Sequence, residues 1–238
     1  MTMAEKSLRE QVAWASRILA MEGYADLTLG HVSARGEDGR VYIKRKGVAL
    51  DEVEPDDIVE FSLDDAGSVF APDMHLEAVL HQAVYLARPD VGAVVHGHPP
   101  YATALGAAEA SLELLTHDAV LFADGVPAFE GSPELIVDAE QGRAVAAALG
   151  THRAMLLRNH GVLVAGKDLP WVTLSAATLE RAARLQSIAA TYGPLRPIPR
   201  EAAQAMHGDK YRDAFVAEYW AAWLRKLGRH EADARMRA

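Results

Sequence analysis

The sequence predicts an α/β fold, a mixed sheet layered with helices in one domain. Three observations carry that prediction. Segments with helical periodicity and short apolar runs interleave along the chain. An early pair of extended runs is joined by Gly36-Glu37-Asp38-Gly39, a hairpin turn. The chain has 238 residues, 50% of them hydrophobic, and no internal repeat or low-complexity tract divides it.

The elements follow in order. Leu8, Val12, Ala15 and Leu19 recur at a helical interval and predict a helix over Ser7–Glu22, stopped by Gly23. Leu27–Arg35 and Val41–Lys44 flank the hairpin turn, and Ile58–Phe61 adds a short strand before Asp64-Asp65-Ala66-Gly67. Met74–Arg88 is helical by composition and is closed by Pro89-Asp90. Gly92–Val95 has the hydrophobicity of a buried strand, and Pro99-Pro100 opens a short helix over Tyr101–Leu105. Leu112–Phe129 is less periodic. A helix follows over Ile136–Leu149 with Gly150 as its stop, then a strand at Ala154–Leu157 and a returning strand at Val162–Ala165. Asp168 and Pro170 start a helix that runs to Ala190. Its face of Leu174, Thr178, Ala182, Leu185 and Ala189 has small residues that leave room for another helix. Gly193–Arg200, with three prolines, reads as a linker or arm. The final helix, Asp209–Leu227, carries Tyr211, Phe215, Tyr219, Trp220 and Trp223 for packing against the body or a neighbouring subunit, and the last ten residues fray.

Composition narrows the function classes. The net charge of −9 disfavours a general nucleic-acid surface and gives no reason for anionic-membrane binding, while leaving room for a locally basic site. There is no cysteine, hence no disulfide, thiolate ligand or cysteine nucleophile. No apolar run is long enough to span a bilayer, and the N-terminus has no signal-peptide core, so a cytoplasmic chain is expected.

The chemistry concentrates around histidines. Val91–Pro99 ends in His96-Gly97-His98, and alternation on an extended chain puts both rings on one side. A second apolar strand delivers His160 within Arg158-Asn159-His160-Gly161. Upstream, Glu77 and His81 are four apart in the expected helix and share a face. Three imidazoles and one carboxylate suit a zinc-like or manganese-like divalent ion with room for substrate, and iron(II) or cobalt(II) would fit the same donors. His81 has three readings: support for a ligand, orientation of Glu77, or a filler of a polar gap. His31 follows Gly30, where backbone can approach a ligand. Lys44, Arg45 and Lys46 before Gly47 form either a solvated face or an anion-binding turn, with Lys46 as the contact. His75 and His117 are weaker candidates for substrate contact, and Tyr211 and Tyr219 read first as helix anchors.

These residues together resemble the class II aldolase/adducin family. The likeness rests on Gly30-His31-Val32-Ser33-Ala34-Arg35, on Glu77 with His81, and on Ala87 through Pro100 with its two histidines. Arg158-Asn159-His160-Gly161 completes it, and it covers Ser7 to about Thr191. The resemblance implies a three-layer α/β/α domain around a mainly antiparallel sheet, assembled as a homotetramer with active sites between subunits. It implies His96, His98 and His160 as metal ligands, Glu77 as the acid/base group, and a residue near a neighbour's C-terminus, Tyr211 or Tyr219, reaching into the site.

Departures from the sugar-phosphate aldolases of that family point to the substrate. His31 stands where they carry asparagine, Lys46 where they carry a small hydroxylated residue, and His75-Leu76 where they carry serines. Imidazole and ammonium in place of the phosphate cradle resemble the branch that decarboxylates hydroxylated aromatic or heteroaromatic dicarboxylates with manganese or a related metal. Under that resemblance the substrate is a small anionic organic molecule, with His31, Lys46, His75 and His117 as its contacts. The alternative is an aldolase cleaving an unphosphorylated hydroxyketone or hydroxyketo acid. Epimerase and oxygenase chemistry on the same donors, and an adducin-like scaffold without catalysis, are the further alternatives; the last has no need of the histidines.

Overall fold

The computed structural model describes residues 3–24, 26–131 and 134–237. Seven strands form one sheet: β1 (His31–Arg35), β2 (Arg40–Lys44), β3 (Ile58–Ser62), β4 (Ala93–Gly97), β5 (Ala128–Phe129), β6 (Ala154–Leu157) and β7 (Gly161–Gly166). Their spatial order is β3-β2-β1-β4-β7-β6-β5. Every neighbouring pair is antiparallel except β5 with β6. The sheet is therefore mainly antiparallel, as expected, with one short parallel edge strand that the aperiodic stretch before it did not announce.

Alternation along the strands sends apolar side chains to both faces, so the sheet is covered on both. Val32, Ala34, Val95, Val162 and Val164 meet α1 (Met3–Leu19) and α5 (Leu169–Tyr192). Val41, Ile43, Val94, Met155 and Leu163 meet α2 (Ala78–Ala87) and α4 (Ala139–Leu149) on the other side. Each fully buried aliphatic side chain contributes about 1.5–3 kcal/mol of transfer free energy, so both helical layers are held by the same force. The result is the three-layer α/β/α arrangement. No helix among the described residues is long and apolar enough to cross a membrane.

Several boundaries differ from the sequence expectation. The first helix ends at Leu19 and continues as a π-type turn over Ala20–Tyr24, with Gly23 at φ 105°. Residues 74–77 are not helical: α2 starts at Ala78, with Glu77 as its N-cap at ψ 16°. Likewise α4 starts at Ala139, where Asp138 and Gln141 form a capping box. The C-terminal region holds two helices, α6 (Arg200–Lys210) and α7 (Asp213–Arg237). The arm has its expected extent, the stretch left unassigned between it and Asp209 is helical, and the last helix starts at Asp213 and runs ten residues past Leu227, since a lone Gly228 does not stop it. α7 packs back on the body. Trp223 Nε1 and Lys226 Nζ both donate to Glu22 Oε1, at 3.1 and 2.7 Å.

Candidate metal centre and active site

The histidines gather where β1, β4 and the β6–β7 loop end together. His31 and His96 are direct cross-strand partners in the β1–β4 ladder. β4 stops at Gly97, so His98 lies one residue past it, and its ring meets that of His96 edge-on at 5.0 Å. His160 comes from the three-residue loop between β6 and β7. Asn159 adopts φ 55° there, a left-handed conformation that asparagine tolerates better than most residues. Gly161 is required next to it. A Cβ at that position would lie 2.5 Å from the Gly97 carbonyl oxygen and 2.6 Å from His98 Cδ2.

Hydrogen bonds decide which ring nitrogens face the centre. His96 Nδ1 lies 3.0 Å from the Val162 carbonyl oxygen, which only accepts, so Nδ1 carries the hydrogen and Nε2 keeps its lone pair. His98 Nδ1 donates to Asp26 Oδ2 at 2.9 Å in the same way. The buried Nε2 atoms of His96 and His160 have no hydrogen-bond partner among the described residues. Yet they lie 3.3 and 3.4 Å from the two oxygens of Glu77, out of hydrogen-bond alignment. Two ligands at about 2.1 Å from a tetrahedral ion are separated by about 3.4 Å. The ligand atoms of His96, His98 and His160 lie within 4.8 Å of one another. Orphaned lone pairs converging on a carboxylate at this spacing fit a divalent cation.

Glu77 is placed by its cap position, and Oε1 accepts the Ile136 backbone N–H at 3.0 Å. Burial pushes its carboxyl group upward. The His160 and His96 imidazoles and the Ile136 N–H outweigh that and hold it well below the usual carboxylate range, so it is ionised at neutral pH. Burial, helped by neighbouring imidazoles, pushes the imidazoles the other way. His98 is lowered, His31 lies well below its ordinary value, and His75 falls to about 3. The centre is a set of imidazole nitrogens around one anion.

The remaining expected residues divide into two places. The His75 ring lies 4.3 Å from that of His31, which lies 5.1 Å from that of His96, so both line the buried rim of the cluster. Glu77 precedes the helix as its N-cap, and the His81 ring hydrogen-bonds with His31 and Ser33, at 2.7 and 2.6 Å. Lys46 is exposed, with its backbone N–H tied to the Asp73 carbonyl. The buried cation of the Lys44-Arg45-Lys46 run is Lys44, which donates to the Thr28 and Val48 carbonyls at 3.0 and 2.5 Å. Burial, then Arg45, lowers its ammonium to about 8. Tyr211 and Tyr219 lie elsewhere, along a cavity of about 470 Å³ that Asp118, Arg181 and Lys210 also line. His117, exposed, sits next to Asp118. Tyr211 is buried and donates to the Asp118 carbonyl at 2.9 Å; Tyr219 is half-exposed. Asp26 was not anticipated, because no local spacing links it to the histidines; Ser33 and Tyr85 stand two and four residues from His31 and His81 but had no role in the sequence reading, and Lys44 entered it only within the Lys44-Arg45-Lys46 run.

Residues 10–187 match the Class II Aldolase and Adducin N-terminal domain. The chain belongs to that family. Among curated proteins it is 36% identical over 129 residues to a 4-hydroxy-3-prenylphenylpyruvate oxygenase/4-hydroxy-3-prenylbenzoate synthase of Streptomyces roseochromogenus subsp. oscitans. That alignment covers 52% of this chain and 45% of the relative. The chain thus spans about half the length of the first such relatives it matches. It is 28% identical over 208 residues to the 3,4-dihydroxyphthalate decarboxylase of Arthrobacter keyseri, covering 80% of this chain and 82% of that one. The solved structure of an aldolase II superfamily protein from Pseudomonas syringae superimposes with a TM-score of 0.83 at 27% identity, covering 97% of this chain and 95% of that one. The curated relatives of this class II aldolase family member include decarboxylases, in keeping with the departures at His31, Lys46 and His75-Leu76.

Proposed function

We propose that this chain is a divalent-metal-dependent carbon–carbon lyase that decarboxylates a hydroxylated aromatic or heteroaromatic dicarboxylate. The observation that carries the reading is the rim of the cluster. His31 and His75 are buried imidazoles beside the three-histidine group, with the Lys44 charge behind them. Such a rim suits a flat ring bearing carboxylate or phenolate oxygens better than a phosphate. The likeness to the dihydroxyphthalate decarboxylase supports the same substrate class.

In this reading His96, His98 and His160 hold the ion through Nε2, and Mn2+ or Zn2+ fits these donors, with Fe2+ and Co2+ next. The ion supplies a positive charge that stabilises the electrons left by the broken C–C bond. Glu77, ionised, takes the proton of the substrate hydroxyl ortho to the departing carboxylate and returns it to the ring carbon that bears the carboxylate. Carbon dioxide then leaves, the bonding pair goes back into the ring, and the phenolate regains a proton from solvent. His31 and His75 hold the carboxylate that stays, and Lys46, exposed on the turn before Gly47, attracts it. Active sites between subunits of a homotetramer would bring His117, Tyr211 and Tyr219 of one subunit toward the cluster of the next.

The test is carbon dioxide release by manganese-loaded protein from a panel of ortho-hydroxylated aromatic dicarboxylates. Release that a chelator and His160→Ala both abolish is the expected result. No release, with an aldehyde formed from unphosphorylated hydroxyketo acids, would replace this reading with aldol cleavage.

A further inference from the structure

Behind the rim lies a buried polar chain that the metal cluster does not use. β1 presents His31 and Ser33 to the helix layer above it, and α2 presents His81 and Tyr85, one turn apart, to β1. His31 Nδ1 lies 2.7 Å from His81 Nε2. His81 Nδ1 lies 2.6 Å from Ser33 Oγ, and Ser33 Oγ lies 2.7 Å from Tyr85 Oη. All four side chains are buried. Polar groups in such a place are costly unless each has its partner.

The hydrogens along this chain run one way or the other, and the two directions are not equivalent. If His31 donated from Nδ1, His81 would donate to Ser33, and then either Ser33 donates to Tyr85 or Tyr85 to Ser33, whose own hydrogen would then have no side-chain acceptor in the chain. If Ser33 donates, the Tyr85 hydroxyl hydrogen points into the core, where Ser33 Oγ is the one side-chain oxygen bonded to it among the described residues. In the opposite direction Tyr85 donates to Ser33, Ser33 to His81 Nδ1, and His81 Nε2 to His31 Nδ1. Every buried hydrogen then has an acceptor. The hydrogen left over is on His31 Nε2. Both rings are buried, where an uncompensated charge is costly, and the 2.7 Å contact between His31 Nδ1 and His81 Nε2 holds one hydrogen, so each ring is taken with one hydrogen.

We infer that the Tyr85–Ser33–His81 chain fixes His31 as its Nε2–H tautomer. His31 therefore meets the substrate as a hydrogen-bond donor to an anionic oxygen, carboxylate or phenolate, and is not a metal ligand. A His31 ring nitrogen lies within 4.8 Å of the ligand atoms of Glu77 and His96, so on distance alone these three form a second ion-binding group. The hydrogen-bond order removes His31 from it and leaves His96, His98 and His160. Ser33, His81 and Tyr85 are positioning residues: they select which oxygen chemistry the rim accepts without touching it. As a statement about substrate the inference rests on the proposed lyase reading; as a statement about tautomer it does not.

Long-range 1H–15N spectra of the full chain labelled with 15N-histidine test it, with His31→Gln used to assign the His31 signals. The expected result is a His31 ring protonated at Nε2 and unprotonated at Nδ1, with further shifts on adding salicylate as a minimal ortho-hydroxylated aromatic carboxylate. Tyr85→Phe and Ser33→Ala, each removing a hydroxyl, should convert that signal to a mixture of tautomers. They should raise KM several-fold with little change in kcat and leave metal content unchanged. A His31 ring protonated at Nδ1, or loss of the bound metal in His31→Gln, would overturn the inference. A fixed Nε2–H tautomer in a chain that releases no carbon dioxide would instead overturn the proposed reaction and leave the tautomer assignment standing.

Discussion

Replacing Asp26 by alanine tests how the metal cluster is presented. Asp26 Oδ2 accepts from His98 Nδ1 at 2.9 Å, and that bond keeps the hydrogen off Nε2 and sets the ring plane. Removing the carboxylate partner of a ligating histidine costs about 10- to 100-fold in metal affinity, or about 1.4–2.7 kcal/mol. The Asp26 side chain is 36% exposed, so solvent screens part of its charge. The loss in Asp26→Ala is therefore set near the lower bound, about 10-fold. Asp26→Asn keeps an oxygen acceptor without the charge and should lose only a few-fold. Competition of each variant against a chromophoric chelator, at fixed pH and with Mn2+ or Zn2+, reads the three affinities directly. Equal affinities in wild type, Asp26→Ala and Asp26→Asn would refute the claim that His98 is a ligand oriented by Asp26.

Four further outcomes follow from the geometry. His75 is held down to about 3 from an ordinary 6.5, so the unfolded chain takes up its proton first as pH falls. The stability that neutral His75 provides is complete above about pH 6.5 and is lost progressively toward about pH 3, a few kcal/mol in all. Urea midpoints between pH 7 and 4 should therefore fall less steeply in His75→Gln, and parallel curves would contradict the burial argument. Gly161→Ala would drive a methyl group into the Gly97 carbonyl and the His98 ring, costing about 1–3 kcal/mol and weakening metal binding together. Thermal unfolding and the chelator assay check both. Tyr211→Phe loses a buried bond to Asp118 and should cost about 0.5–1.5 kcal/mol of stability. Tyr219→Phe, with its phenol half-exposed, should lower kcat while leaving the unfolding temperature unchanged.

Most of the scaffold was legible because it is written in local patterns. β6 was read with its observed ends, since Ala154–Leu157 is a bounded apolar run, and β4 and β7 came within a residue or two for the same reason. His96, His98 and His160 were legible because each terminates such a run. The misses share a physical cause, contacts made across the fold. Lys44 rather than Lys46 is buried because two distant carbonyls, at Thr28 and Val48, close over the end of β2. Asp26 is 72 residues from the ring it orients. Glu77 looked helical by composition, but its carboxylate is drawn to the Ile136 N–H and the imidazoles, and the helix begins after it. α6 was left unassigned between the arm and the last helix because its sequence is polar, with Ala203 its one buried residue, so it lacks the apolar stripe that announces a packed helix.

The proposed chemistry depends above all on the cluster of His96, His98 and His160 holding an ion. The most direct measurement is the divalent-metal content of the purified, manganese-dialysed chain, per chain, beside that of His96→Ala and His160→Ala prepared alike. One ion per chain in the wild type, and a small fraction of one in each variant, is the predicted result. A metal-free wild type, or variants that keep their ion, would contradict the assignment of the centre and the chemistry built on it.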